Sequence, residues 1–505
     1  MMANLPPRLR LPVKLDRPSG YYLQMVVALL RSMLLPALAI TVVVLGLISG
    51  FLATKLSWDL MMLALGGLVV LLFSFSRPEL VILLTLVASS SIFAQNQIPT
   101  ISIGFAFSAI ELCLIFLLGL VIVQTLGDKK SPFVKTPLDL PIALFFGASF
   151  ISLLNAVLNL GADVDLLEYQ WRILFNYLAF FAVTNLVRTR RQLMTLVVGM
   201  LVIATIVAVM MIVQQAVGDS VVILPGKVGT AGVFESDFAG VTRVLPPGQS
   251  LTLVMLMPAL ILFISREHLG QMQWLLFLAI GLLFVALAFT FNRSSWVGIA
   301  ISIAFVFLRS NRNQRKNLLL LLYAVTVIIA VVIPLSSMYF PKLGDIFNAL
   351  YLRAASLFTG DEVKYSSSWQ WRVLENKYAR ISIQRHPLFG IGPGNDYRPR
   401  IRLEGDYLTG YMHNAYLFIL VDLGIAGFVP FIWFSALFLF RGYRLWQRVK
   451  DKVFMAVVLG FTLSYVTVLI ASIASPMFMA WYWTPVLGVM LGVNEVIYRL
   501  DGMEE

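Results

Sequence analysis

Runs of about 18 or more apolar residues recur from Leu34 to Tyr498, and this feature removes most of the folds open to a chain of 505 residues. Each run is long enough to cross roughly 30 Å of hydrocarbon as a helix. A transmembrane β-barrel would show short alternating segments instead. With 59% hydrophobic and only 13% charged residues, a water-soluble domain would have to cover its surface with apolar patches. The sequence therefore predicts an all-α, polytopic transmembrane helix bundle.

Approximate spans fall at 34–54, 57–75, 78–95, 109–127, 139–159, 170–187, 193–216, 250–265, 273–291, 295–308, 317–335, 412–440, 453–474 and 477–498, about fourteen in all. Twelve is the lower count if the tight pairs merge. Three regions result: an N-terminal membrane bundle, 1–335, with an outer loop at 217–249; a large extracytoplasmic loop, 336–411; and C-terminal membrane helices, 412–505. Loops of this length inside a membrane bundle are usually functional or disordered. The stretch from Trp369 to Arg385 is too apolar for disorder and could form an amphipathic helix over the membrane face.

The net charge of +12 does not point to nucleic acid, because the basic residues sit in short clusters between apolar runs. They read as topology signals. Lys129, Lys130 and Lys135; Arg188, Arg190 and Arg191; Arg309, Arg312, Arg315 and Lys316; and Arg441, Arg444, Arg448, Lys450 and Lys452 fall in alternate loops, as the positive-inside rule requires if both termini are cytoplasmic. Asp163, Asp165 and Glu168 fall in an outer loop. Arg8, Arg10, Lys14 and Arg17 precede a first run without a small-residue cleavage pattern, which reads as an uncleaved span. The single cysteine, Cys113, permits neither an intramolecular disulfide nor a cysteine-based metal site. Walker, His-Glu-x-x-His and Gly-x-Ser-x-Gly motifs are absent, which disfavours nucleotide hydrolysis, zinc chemistry and a serine nucleophile elbow.

A few polar residues interrupt the apolar pattern at the expected outer face. His413 opens an apolar run; on a helix beginning there, Leu417, Leu420, Gly424 and Gly427 at offsets 4, 7, 11 and 14 would form one stripe. Small residues on such a stripe mark close helix packing and would turn the ring inward; the plainer alternative is an inert cap. Arg293, in Asn292-Arg293-Ser294 between two apolar runs, is either a ligand contact or a headgroup anchor. Arg243 precedes the bend Pro246-Pro247-Gly248, which could hold it over a helix mouth. Arg372, Arg380 and Arg385 recur on the candidate amphipathic helix. The segment from His386 to Asn395 alternates glycine with proline and must be turn-rich. Asp422 could pair with a neighbouring helix, and Glu111 is ambiguous.

Taken together, these residues resemble the O-antigen ligase and polymerase superfamily. The hallmark here is His413-Asn414, nine residues, then Gly424-Ile425-Ala426-Gly427, preceded by Arg372 and His386-Pro387-Leu388-Phe389-Gly390-Ile391-Gly392-Pro393-Gly394, with Asn292-Arg293-Ser294 at the start of a mid-chain span. The resemblance implies a GT-C-like membrane glycosyltransferase with a large outer loop. It would transfer glycan from an undecaprenyl-diphosphate donor to an acceptor hydroxyl on a glycan, lipid or protein, without nucleotide, metal or other cofactor. Carried over by position, His413 and Arg293 would be catalytic, with Arg293, Arg372 and Arg243 at the donor diphosphate. At Arg243 the following Val-Leu-Pro-Pro-Gly-Gln departs from the family pattern. The implied location is the bacterial cytoplasmic membrane, with the site facing outward. A lipid-linked glycan flippase or transporter, and a non-catalytic partner in polysaccharide assembly, are the competing readings. The former would need gating charges deep in several spans; the latter would be favoured if His413 and Arg293 pointed apart.

Overall fold

Apolar helices make up the bundle seen in a computed structural model, which describes residues 77–90, 92–93, 101–103, 105–127, 133–162, 164–218, 221–224, 227–230, 241–265, 272–327, 331, 341–359, 367–401 and 409–502. The expected spans at 34–54 and 57–75 lie outside them. Residues 70–121 and 133–505 form one compact unit, residues 1–69 and 122–132 another; the account below concerns the first. The protein is an all-α, multi-pass membrane bundle, in which Ala109–Leu126, Asp139–Leu160, Arg190–Val217, Ala415–Arg448 and Lys452–Ala471 are long and apolar enough to cross a membrane.

In chain order the helices are α1 (Pro78–Ser89), α2 (Ala109–Gly127), α3 (Asp139–Leu160), α4 (Val164–Phe175), α5 (Ala179–Leu186), α6 (Arg190–Val217), α7 (Gln249–Ser265), α8 (Met272–Ala288), α9 (Arg293–Arg309), α10 (Arg312–Val327), α11 (Pro341–Thr359), α12 (Ser367–Arg385), α13 (Ala415–Leu445), α14 (Lys452–Ala471) and α15 (Thr484–Leu500). Two short antiparallel ladders complete the described elements: β1 (Ile101–Ile103) with β2 (Phe105–Phe107), and β3 (Lys227–Thr230) with β4 (Thr242–Leu245), where Gly229 faces Arg243. The expected span at 170–187 is not one helix. A 3-10 turn, Asn176–Leu178, separates α4 from α5. Glu111 and Arg172 form an ion pair, which assigns Glu111 a structural partner.

Caps fix several boundaries. Thr189 and Gln192 form a reciprocal capping box at α6, and the Asp451 carboxylate accepts two N–H groups at the start of α14. Helix α14 is the hub, packing against α7, α9 and α13 through small residues. A Cβ on Gly460 would strike the Pro258 backbone, and one on Gly298 the Cα of Thr467 at 2.8 Å. Ser302 donates to Leu463 O at 3.1 Å and Ser464 to Val254 O at 2.9 Å. Where lipid removes the hydrophobic drive between helices, such close approach and hydrogen bonding supply association.

Tracing these pairings along α14 sorts the loops between two ends. At one end, Arg190 pairs with Asp451 and Asp501, Arg441 with Glu495, and the basic loops around Arg188, Arg312 and Lys450 gather. The other end collects the start of α9, the start of α13, α12 and the segment 472–484, because Ala415 N–H donates to Ser472 O and Arg372 to Ala474 O. Among the described residues, the basic loops around Arg188, Arg312 and Lys450 thus share one end.

Candidate functional site

Two glycine-rich segments meet at the second end. Helix α13 starts at Ala415, with the Asn414 side chain capping Tyr416 and Leu417 N–H at 3.0 and 3.2 Å, and it breaks at Gly424, whose φ is 61° and ψ −163°. The expected continuous stripe from His413 through Leu417 and Leu420 to Gly424 and Gly427 is therefore corrected: His413 precedes the helix, and Gly424 interrupts it. At that break the segment after α12 docks. Ile391 and Gly392 N–H donate to the Val421 and Asp422 carbonyls at 2.9 and 3.0 Å, while Ile425 and Ala426 N–H donate to the Pro387 and Leu388 carbonyls at 2.9 and 3.0 Å. The groups freed by the break are thus paired across the joint, as buried backbone requires.

Sequence chemistry explains why only these residues fit. Gly390, Gly392 and Gly394 adopt φ of 67°, 96° and 84°, a region costly for side chains. A Cβ on Gly424 would overlap Leu388 O, and one on Gly390 would overlap the Asp422 carbonyl. Gly424 therefore serves close approach of a loop, where helix packing was expected, and Gly427 leaves room for Leu423 of its own helix. Asp422 is fully buried and meets a neighbouring helix, α3, through its backbone carbonyl rather than its carboxylate. Its carboxylate faces Gly394 N–H at 3.4 Å, and its carbonyl accepts from Ser152 at 2.6 Å.

The joint carries α12 against His413. Glu375, its side chain 2% exposed, accepts from the His413 backbone N–H at 3.1 Å and meets ring Nδ1 at 2.9 and 3.1 Å with its two oxygens. The imidazole keeps 32% exposure. Tyr411 lies edge-on to the ring, centroids 5.1 Å apart. Burial pushes the Tyr411 phenol up, followed by the fields of Tyr482 and Glu375, against a lowering field from Arg372. Burial also raises Tyr397, whose hydroxyl donates to Tyr411 O at 3.2 Å and whose field comes first from Glu375. Arg398, itself buried, lies over the Trp371 ring at 4.7 Å. Arg372, on the turn of α12 before Glu375, reaches Ala474 O at 3.5 Å.

A second group surrounds the turn between α8 and α9. Phe291 there is the only non-glycine with positive φ among the described residues, at 50°. Such a conformation is costly for an aromatic residue and persists only where its surroundings hold it. Arg243 donates to Thr290 O at 2.9 Å and Arg353 to Phe291 O at 3.4 Å, while Arg293 donates to Ser356 Oγ at 2.7 Å. Phe291 is buried with Val241, Ile346 and Ala349. Strand β4, the start of α9 and helix α11 thus place Arg243, Arg293 and Arg353 at one turn.

All four sequence-derived site residues, His413, Arg293, Arg372 and Arg243, lie at this end of the bundle. His413 and Arg372 bracket the end of α14, and Arg293 begins the helix whose Gly298 packs on Thr467 of the same α14. Two residues escaped the sequence reading. Glu375 stands alone among basic neighbours, and its signal was the spacing of Glu375, Ala379 and Ser382, one inward face of α12. Arg353 had no local signal. Among the described residues no group of three metal-ligating side chains occurs.

No curated protein matches the chain. Residues 278–432 match the family model described as O-antigen ligase (Wzy_C), and that stretch holds Arg293, Arg353, Arg372, Glu375 and His413. Through the segment that builds this site, the chain is similar to the O-antigen ligases and is supported as a membrane enzyme of the O-antigen ligase or polymerase type.

Proposed function

We propose that the protein is a glycosyltransferase of the cytoplasmic membrane, acting at its outer face on an undecaprenyl-diphosphate-linked glycan and delivering it to an acceptor hydroxyl. The observation that carries this reading is the contact of a partly exposed imidazole with a buried carboxylate, at the same bundle end as an arginine-rich turn. The gathering of the basic loops at the opposite end supports the outward orientation.

In the proposed reaction the acceptor oxygen forms a bond to the anomeric carbon as the bond from that carbon to the diphosphate oxygen breaks. The lipid diphosphate leaves with the electron pair, and single-step displacement inverts the centre. Glu375, as a carboxylate, can only accept hydrogen bonds, so the ring proton sits on Nδ1 and Nε2 is left to take the acceptor proton. A positioned base of this kind contributes roughly 10²- to 10⁴-fold. Arg293, with Arg243 and Arg372, would hold the diphosphate oxygens by charge-assisted hydrogen bonds, which gain strength where water is scarce.

The test is reconstitution in liposomes with an undecaprenyl-diphosphate glycan and candidate acceptors, scoring lengthened or conjugated glycan. Wild-type protein should give product and release undecaprenyl diphosphate, and His413→Ala should lose about a thousandfold in rate. Wild-type rates from His413→Ala would overturn the mechanism. Movement of intact donor across the bilayer without transfer would identify a flippase.

A further inference from the structure

The hairpin of α9 and α10, at the end opposite His413, presents a groove of about 1110 Å³ lined by Arg312, Asn313, Lys316, Leu319, Leu320 and Tyr323 among others. From Arg293 to Val327 the sequence contains no Asp or Glu, while Arg309, Arg312, Arg315 and Lys316 cluster at the turn. This sets the hairpin apart from its neighbours at the same end, where Arg190 meets Asp451 and Asp501 and Arg441 meets Glu495. Arg315 is committed to structure: it donates to the Phe307 and Leu308 carbonyls, capping α9, and stacks on Phe307. Arg312 and Lys316 line the groove.

Helical spacing orders the rest. Arg312, Lys316, Leu319 and Tyr323 fall at offsets 4, 7 and 11, on one face of α10. That face runs from cations to apolar side chains over roughly 16 Å at the helical rise. Leu319, Leu320 and Tyr323 are 53%, 54% and 69% exposed, whereas Leu318 and Leu321 on the other side are buried. A cationic end continuing into an exposed apolar strip at a membrane boundary complements the charge and polarity of one phospholipid molecule with an anionic head.

We propose that this groove is a binding site for an anionic glycerophospholipid of the leaflet at that end, with Arg312 and Lys316 on the phosphate and Leu319, Leu320 and Tyr323 along the acyl chains. A neutral phosphocholine lipid would lack the net charge that an arginine and a lysine contact reward. The site stands apart from the proposed catalytic end, so its test does not depend on that reading.

The experiment is native mass spectrometry of the full chain in mild detergent, titrated with phosphatidylglycerol or phosphatidylcholine. Wild-type protein should retain phosphatidylglycerol in preference. Arg312→Gln with Lys316→Gln should weaken that binding roughly thirtyfold, the weight of two cations near an anionic headgroup. Arg448→Gln with Lys452→Gln removes the same charge at the same end outside the groove and should change it by less than about twofold. Tyr323→Ala, which leaves the charge intact, should weaken both the affinity and the chain-length dependence. Equal losses from the two double variants, or equal retention of phosphatidylcholine, would overturn the proposal.

Discussion

The two helices between α10 and α13, α11 and α12, grip the bundle in contrasting ways. Helix α12 brings a buried carboxylate to an imidazole and is locked by a backbone joint in which four N–H groups cross between Pro387–Gly392 and Val421–Ala426. Helix α11 brings Ser356 and Arg353 to a strained turn and holds it through Arg353, which donates to Phe291 O, and Ser356, which accepts from Arg293. On the proposed function, the first side holds a proton acceptor in place. The other concentrates cations, as binding of a diphosphate would require. On the proposed function the difference is one between chemistry and donor binding, and variants on the two sides should separate kcat from donor affinity.

The largest separation is expected from His413→Ala against Arg293→Ala. The first should lower kcat by about a thousandfold while leaving donor affinity within roughly twofold. The second should lower turnover by about a hundredfold or more and weaken donor binding, and Arg293→Lys should recover little because lysine cannot form the bidentate contact. Donor binding measured by equilibrium retention of lipid-linked glycan in detergent checks both. If the two variants lose donor affinity equally, the division between the helices fails.

Next in size is the joint. Gly424→Ala puts a Cβ against Leu388 O at a φ of 61°, so it should cost about 1–3 kcal/mol in stability, read as a lowered Tm of the purified protein. Because displacement of 386–394 drags α12 but not α11, the surviving folded protein should lose kcat with donor affinity retained. A stronger effect on donor binding than on turnover would place the joint on the other side of the comparison. Glu375→Gln follows, since the amide keeps the size and one acceptor but removes the charge facing Nδ1. It should lower kcat by about tenfold with donor affinity unchanged, whereas a pure packing role predicts an unchanged kcat at full folding.

Much of this arrangement is written locally in the sequence, and the remainder is not, for physical reasons. The helix Ser367–Arg385 and the turn-rich segment behind it follow from composition and from glycine and proline spacing, and they appear close to where the sequence places them. The break at Gly424 does not follow, because an apolar run with one glycine satisfies a helical period until another backbone needs its place. The expectation of an inward stripe was therefore right about crowding and wrong about what crowds. Glu375 was hidden similarly: a lone acidic residue among Arg372, Lys377 and Arg380 reads as solvated until docking buries it. Contacts across 63 residues, such as Arg293 with Ser356, leave no periodic trace at all.

That last contact offers the finest test of the cationic side. Ser356 accepts from Arg293 Nη1 at 2.7 Å while its own hydroxyl donates to Arg353 O at 2.8 Å, so it ties the arginine to the helix that also carries Arg353. Ser356→Ala removes one acceptor for a charged donor and leaves the guanidinium in place. The expected result is a loss of about 1 kcal/mol, or roughly fivefold, in donor affinity, with kcat and Tm little changed. Ser356→Thr, which keeps the hydroxyl, should restore binding. An effect confined to kcat would mean that α11 governs the reacting geometry, and the contrast between the two helices would then have to be drawn at a different pair of residues.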